Sequence, residues 1–199
     1  MLTSLANGFG LGLGLIVAIG AQNAFVLRTG LLRQHVFLVC TICVVSDAAL
    51  IVAGVAGVGG AIAANPGLEK AMRWAGALFL IWLGLKSAFA SWRGEGALSA
   101  GAAAGGAMQA AVTALSLTWL NPHVYVDTVL LLGSLSAQFP SRFGFALGGV
   151  LASILFFYTL GYGARLLAPV MAKPISWRIL DALIACIMFS IAWSLIWHA

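Results

Sequence analysis

Residues 108–134 read MQAAVTALSLTWLNPHVYVDTVLLLGS. This stretch is apolar or uncharged throughout except for Asp127. A helix rises about 1.5 Å per residue, so about 20 such residues cross a hydrocarbon core about 30 Å thick. A membrane β-barrel would instead show alternating segments of about ten residues. The stretch therefore predicts a membrane-spanning helix.

The composition of the rest of the chain agrees with a membrane protein. Of its 199 residues, 62% are hydrophobic and 8% are charged, whereas a soluble domain carries about 25% charged residues. The net charge is +5, but the cations lie between apolar runs, where they meet lipid headgroups. No basic stripe or RNA-binding motif accompanies them, so we expect a lipid bilayer and not nucleic acid as the partner.

Six apolar runs indicate an all-α membrane protein with six transmembrane helices. They cover residues 3–27, 36–64, 72–91, 108–134, 143–165 and 179–198. No Lys or Arg precedes the first run, which is also longer than the core of a signal peptide, so we expect it to be retained. A Gly/Ala-rich linker, 94–106, divides the single domain 1–199 into halves 1–93 and 107–199. Three spans per half predict two inverted repeats.

The cations of the loops predict the orientation, because basic loops tend to stay in the cytoplasm. Loops one, three and five hold seven of them: Arg28, Arg33, Lys86, Arg93, Arg165, Lys173 and Arg178. The opposite side holds Lys70, Arg73 and Arg142. We therefore expect both termini in the periplasm.

The fourth run contains a proline that should break its helix. Pro122 lacks a backbone donor and clashes with the preceding turn, so Asn121 suits the N-cap of a new half-helix. The positive end of that half-helix would face the membrane centre and could bind a carboxylate. His123 and Asp127 stand one turn apart and could relay a proton. The alternative is a proline kink with a structurally satisfied histidine.

The first run has a comparable polar site at Gly20-Ala-Gln-Asn23. Two carboxamides deep in lipid are costly unless they form hydrogen bonds, and Gly20 could mark a second helix break. The alternative is that Gln22 and Asn23 bond a neighbouring helix.

Ionisable side chains inside membrane runs cost about 2.5–3.5 kcal/mol and usually face a cavity or a partner. Asp47 and Asp127 lie midway in their runs, with no Lys or Arg in the middle of a helix as partner, and we expect them to bind a cationic substrate, a proton, or both. The alternative is a protonated carboxyl bonded to a neighbouring helix. Asp181 lies near the start of its run, where we expect water to reach it, and for this residue we favour a carboxyl group hydrogen-bonded to a neighbouring helix.

Other functional classes fit the residues less well. Cys40 and Cys43 lie in an apolar run without further ligands, so we expect neither a resident metal nor a cofactor. A divalent-metal or other cation exporter remains as an alternative, although it would favour a denser ligand cluster. Ser46 beside Asp47 is the only local hint of a hydrolase, and no serine–histidine spacing supports an enzyme.

Three strings of residues carry a resemblance to a known family. Gly20–Val26, Ser46–Asp47 and Thr118–Thr128 resemble the LysE/ArgO family of basic amino-acid exporters, with the arginine-exporter branch closest. One departure is Ala21, where the family usually has proline.

The resemblance implies a secondary transporter of the bacterial inner membrane that exports L-arginine, and L-lysine as a second candidate, using the proton motive force. Two carboxylates could hold the cations of such a substrate, and a half-helix N-terminus could hold its carboxylate. The expected substrate ligands are Asp47, Asp127, Gln22, Asn23, Asn121 and Tyr125. The expected proton-coupling residues are Asp47, Asp127 and His123. The oligomeric state, including a homo-oligomer, stays open.

Overall fold

The computed structural model of the chain describes residues 1–17, 20–57, 66–93, 106–121, 124–167, 169 and 173–197. These parts of the chain are helices joined by short turns, and they contain no strand. The helices are α1 (Leu2–Ile16), α2 (Ala21–Leu32), α3 (Val36–Val55), α4 (Pro66–Arg93), α5 (Ala107–Trp119), α6 (Gly133–Ser136), α7 (Arg142–Gly163) and α8 (Pro174–Trp197). A π-helical segment, Tyr125–Leu132, leads into α6, and a 3₁₀ turn, Ala164–Leu167, follows α7.

Three helical segments of the described chain are long and apolar enough to cross a membrane: Val36–Val55, Arg142–Leu167 and Ile175–Trp193. The pair α1 and α2 could form a fourth span, although the two helices are bent by 83° relative to each other. The expected all-helical membrane protein is therefore confirmed. The count of six spans and the inverted repeat stay predictions.

The first apolar run ends later than the sequence predicted. The run was expected to end at residue 27, with Arg28 in loop one, but α2 continues to Leu32, and Arg33 ends it in the left-handed conformation with φ 55°. Arg28 is therefore a helix residue and not a loop cation. Most of the predicted linker, 94–105, lies outside the described residues, and Gly106 is the N-cap of α5.

Glycines set the close packing of α1 against α7. A Cβ on Gly8 would lie 2.0 Å from the Phe145 carbonyl oxygen, and one on Gly148 would lie 2.1 Å from that of Leu5. Small residues let two helix backbones approach this closely in lipid. Gly8 and Gly12 form one pair of small residues four apart, and Gly10 and Gly14 form another. Gly10 and Gly14 face away from the interface, since nothing lies within 4 Å of a Cβ there.

The other long helices pack in two further groups. α4 lies along α8 for much of its length. α3 packs against α7 and also against α5 and the π-helical segment. Where α3 meets the π-helical segment, a Cβ on Gly54 would lie 2.8 Å from the carbonyl oxygens of Thr128 and Val129.

Candidate functional site

The break between α1 and α2 is closed by a side chain. Gly20 is the N-cap of α2 and has extended backbone angles, φ −123° and ψ 176°. Three residues later, Asn23 Nδ2 donates a hydrogen bond of 2.8 Å to the carbonyl oxygen of Ile16, the last residue of α1. Asn23 thereby joins the two half-helices and satisfies a carbonyl that the end of a helix leaves without a partner.

The second irregular region follows α5, which ends at Trp119. The Tyr125 hydroxyl donates to the Trp119 carbonyl oxygen at 2.9 Å, so Tyr125 helps to satisfy this helix end. The π-helical segment begins at the same residue. Pro122 and His123, predicted to form the break and the proton relay, lie outside the described residues.

A cavity of about 260 Å³ lies where the two irregular regions approach each other. It is lined by Leu15, Ile16, Gly20, Gln22, Asn23, Asp47, Ile51, Asn121, Val124, Thr128, Leu132, Phe157 and Ile191. Its wall thus combines both regions with α3, α7 and α8. Polar side chains of this kind in a membrane protein usually mark a substrate or ion pathway.

Asp47 is the carboxyl group on the described wall of the cavity. It is 7% exposed, and its Oδ2 accepts a hydrogen bond of 2.8 Å from Ser153 Oγ on α7. The neighbouring Ser46 Oγ accepts from Trp119 Nε1 at 3.1 Å. One bond fixes the orientation of the carboxyl group and the other ties α3 to the end of α5.

Gln22 lines the same cavity. The residue is 9% exposed, and its Nε2 makes no hydrogen bond within the described part of the chain. A buried polar group without a partner costs about 1–3 kcal/mol. Gln22 lies in the first turn of α2, where backbone N–H groups also lack helical acceptors, so this corner of the cavity suits an anionic group.

Five of the predicted site residues come together at the cavity: Gly20, Gln22, Asn23, Asp47 and Asn121. Tyr125 is not among the lining residues. The side chain of Asp127 lies outside the described residues, although its backbone belongs to the π-helical segment.

The expectation that water reaches Asp181 was wrong, whereas the favoured hydrogen bond to a neighbouring helix is present. Asp181 is fully buried, and its Oδ1 forms an ion pair with Arg28 of α2. The sequence analysis had assigned Arg28 to a loop and had expected Asp181 to meet water. A helix restarting at Gly20 places Arg28 two turns inside α2, and recognising this restart could have identified Arg28 as a membrane cation.

Membrane-length apolar helices around a polar cavity that adjoins interrupted helices are the architecture of a helical membrane transporter. Residues 13–198 match the LysE type translocator family, and the chain belongs to this family. It is therefore a transporter and not an enzyme, and the resemblance seen in the sequence is confirmed.

Curated relatives match the chain over most of its length. It is 42% identical to a putative amino-acid transporter YggA of Aeromonas salmonicida, covering 96% of this chain and 95% of the relative. It is 40% identical to the arginine exporter protein ArgO of Yersinia enterocolitica, covering 98% and 97%. No solved structure matches the chain.

Proposed function

We propose that the protein is a secondary transporter that exports L-arginine from the cytoplasm, with L-lysine as a second substrate, and that the proton motive force drives it. The observation that carries the proposal is the carboxyl group of Asp47 on the wall of a membrane cavity beside an interrupted helix. The similarity to a protein named arginine exporter supports arginine as the substrate.

The charges of arginine match the groups around the cavity. Its guanidinium and α-ammonium groups pair with Asp47 and with Asp127, since carboxylates accept charge-assisted hydrogen bonds from both. Its α-carboxylate lies at the start of α2, near the donor of Gln22. Asn121 and Tyr125 complete the substrate ligands, and Asn23 contributes by holding the half-helices together.

Proton coupling uses the same carboxyl groups. Either a proton or the cationic substrate neutralises Asp47 and Asp127, so that binding one releases the other. His123, one turn before Asp127 in sequence, exchanges the proton with water. This competition makes export depend on the proton gradient.

The proposed architecture is six spans in two inverted repeats, with helix breaks at Gly20 in the first half and at Asn121 and Pro122 in the second. The packing of the described helices supports it. The proposed first span, with α1, lies along the fifth, which is α7. In the same way the fourth span, formed by α5 and the π-helical segment, lies along the second, which is α3. The third span (α4) packs on the sixth (α8). Exchanging the two halves leaves this set of contacts unchanged.

The transporter is placed in the bacterial inner membrane with both termini in the periplasm. Arg28 no longer counts as a loop cation, because it is paired with Asp181 inside the protein. Six cations remain in loops one, three and five or in the helix ends beside them, and three on the other side. Loops one, three and five therefore still lie on the side with more Lys and Arg, which favours a cytoplasmic location for them.

Counterflow in proteoliposomes tests the substrate. Vesicles loaded with unlabelled L-arginine should accumulate labelled L-arginine from outside, and unlabelled L-lysine should reduce this uptake in proportion to its affinity. Empty vesicles and vesicles without protein are the controls. The rival proposal, a divalent-metal or other cation exporter, predicts no arginine counterflow and uptake of a metal such as labelled Zn²⁺ instead.

A further inference from the structure

Arg28 and Asp181 form an ion pair that the proposed transport chemistry does not use. Arg28 NH1 contacts Asp181 Oδ1. The Asp181 side chain is 0% exposed and that of Arg28 is 16% exposed. The pair joins α2, which carries Gln22 and Asn23, to α8, whose main packing partner is α4. The ion pair is therefore a polar link across an otherwise apolar contact between helices.

The pair lies between the cavity and one face of the membrane. Gln22, which lines the cavity, precedes Arg28 by six residues on α2, which is about 9 Å along the helix. Ile191, which also lines the cavity, follows Asp181 by ten residues on α8, or about 15 Å. In the opposite direction α2 ends at Leu32 and α8 begins at Pro174. The ion pair thus sits on the side where α2 ends.

The end of α4 is fixed to the start of α8 on this same side. Arg178 Nε donates to the Ser91 carbonyl oxygen at 2.9 Å, and Ser91 Oγ donates to the Arg178 carbonyl oxygen at 2.9 Å. These bonds hold α4 and α8 as one unit. The Arg28–Asp181 pair then connects α2 to that unit, at the boundary where the two can separate.

Two features of the pair suit a contact that opens and closes. A buried ion pair is seldom more stabilising than apolar residues of the same size, because both charges lose their hydration. If the helices part and water enters, that loss is recovered. The pair is also held through one carboxylate oxygen, since Asp181 Oδ2 has no hydrogen-bond partner in the described chain. It is weaker than a bidentate arginine–carboxylate pair.

We propose that the Arg28–Asp181 ion pair is a gate that closes the cavity on the face where α2 ends and α8 begins. The gate opens when α2 and α8 separate during the transport cycle, so this inference rests on the proposed function. The first half of the chain has no acidic residue at the position equivalent to Asp181. Arg73 and Arg178 each lie at the start of the third run of their half, and when these two residues are aligned, Gly76 takes the position of Asp181.

Reversible crosslinking tests the gate. Cys40, Cys43 and Cys186 are replaced by serine, and Arg28→Cys/Asp181→Cys is introduced and joined with a short bifunctional thiosulfonate. Joined protein should lose at least about nine-tenths of its arginine counterflow, because the open state is then rarely reached, and a reductant should restore it. The matched control is Thr41→Cys/Tyr158→Cys, at the 2.9 Å hydrogen bond between α3 and α7, which should transport when joined.

Counterflow by the joined Arg28→Cys/Asp181→Cys protein at the rate of its reduced form would overturn the gate. Lack of arginine counterflow in wild-type and reduced proteins alike would instead count against the proposed function. The gate is then judged by a measurement that needs no transport, the labelling rate of a cysteine inside the cavity.

Thr128→Cys supplies that cysteine, since Thr128 lines the cavity. Arg28→Ala/Asp181→Ala removes both charges together and so leaves no unpaired buried charge to prevent folding. In this variant a charged thiosulfonate should label Thr128→Cys about tenfold faster from the face where α2 ends, and at an unchanged rate from the other face. Equal labelling rates with and without the ion pair would contradict the gate.

Discussion

At the scale of single residues, the amide of Asn23 shows how a polar side chain in a membrane can serve the fold. The sequence predicted it as a substrate ligand, with a helix-to-helix bond as the alternative. Its Nδ2 bonds the Ile16 carbonyl oxygen across the break between α1 and α2. This bond keeps the first turn of α2 next to the end of α1.

Asn23→Ala should therefore loosen the break and lower both thermal stability and arginine transport. A buried hydrogen bond of this kind contributes about 1 kcal/mol, and the carbonyl left behind adds to the loss. Asn7→Ala is the matched control, since Asn7 Nδ2 also bonds a carbonyl oxygen at 2.8 Å, that of Thr3, but in an exposed position of α1. Unfolding temperatures in detergent and counterflow rates check the comparison. Equal effects of the two substitutions would refute the role given to Asn23.

Asp47 and Asp181 show how far sequence reasoning reaches at this scale. A carboxyl group midway in an apolar run had to face a partner or a cavity, and Asp47 does line one. Asp181 was misjudged because its partner is distant in sequence: Arg28 belongs to another helix. Arg28 was assigned to a loop because it follows the first apolar run, although the break predicted at Gly20 allows a new helix to continue past the end of that run.

At the scale of helices, two glycines of α1 allow its close packing to be tested, because Gly8 lies at the contact with α7 and Gly10 does not. Alanine at either Gly8 or Gly10 improves helix propensity by up to about 1 kcal/mol. At Gly8 the added Cβ meets the Phe145 carbonyl oxygen, whereas at Gly10 nothing lies within 4 Å. Gly8→Ala should therefore destabilise the protein by about 1–3 kcal/mol, the usual cost of overpacking, and Gly10→Ala should be neutral or slightly stabilising. The unfolding temperatures of both variants test this prediction. The same unfolding temperature for both would contradict the close contact of α1 with α7 at Gly8.

The helices were predictable to different degrees. Continuous apolar runs located α3, α7 and α8, because length and hydropathy alone define a span. Spacing could not separate Gly8 from Gly10, since both start a small-residue motif and only the rotation of α1 about its axis decides which one meets α7. That rotation depends on contacts with α7, which is more than a hundred residues away in sequence.

At the scale of the whole molecule, the cavity depends on segments from both halves of the chain. Gln22 and Asn23 come from α2, Asp47 comes from α3, and Asn121 follows α5. The sequence predicted these residues as one site because each was polar inside an apolar run. It could not predict Ser153, an ordinary serine of α7, which becomes significant only through its bond to Asp47.

The most direct test of the account measures arginine efflux from proteoliposomes containing wild type, Asp47→Asn or Ser153→Ala at equal protein amounts. Asp47→Asn preserves shape but removes the anion, so efflux should fall about 10- to 100-fold, the effect of losing a charge-assisted hydrogen bond. Ser153→Ala removes a hydrogen bond of 2.8 Å and keeps the carboxyl group, so it should retain most of the efflux. Wild-type efflux by correctly inserted Asp47→Asn would contradict the central claim that this cavity carries arginine across the membrane.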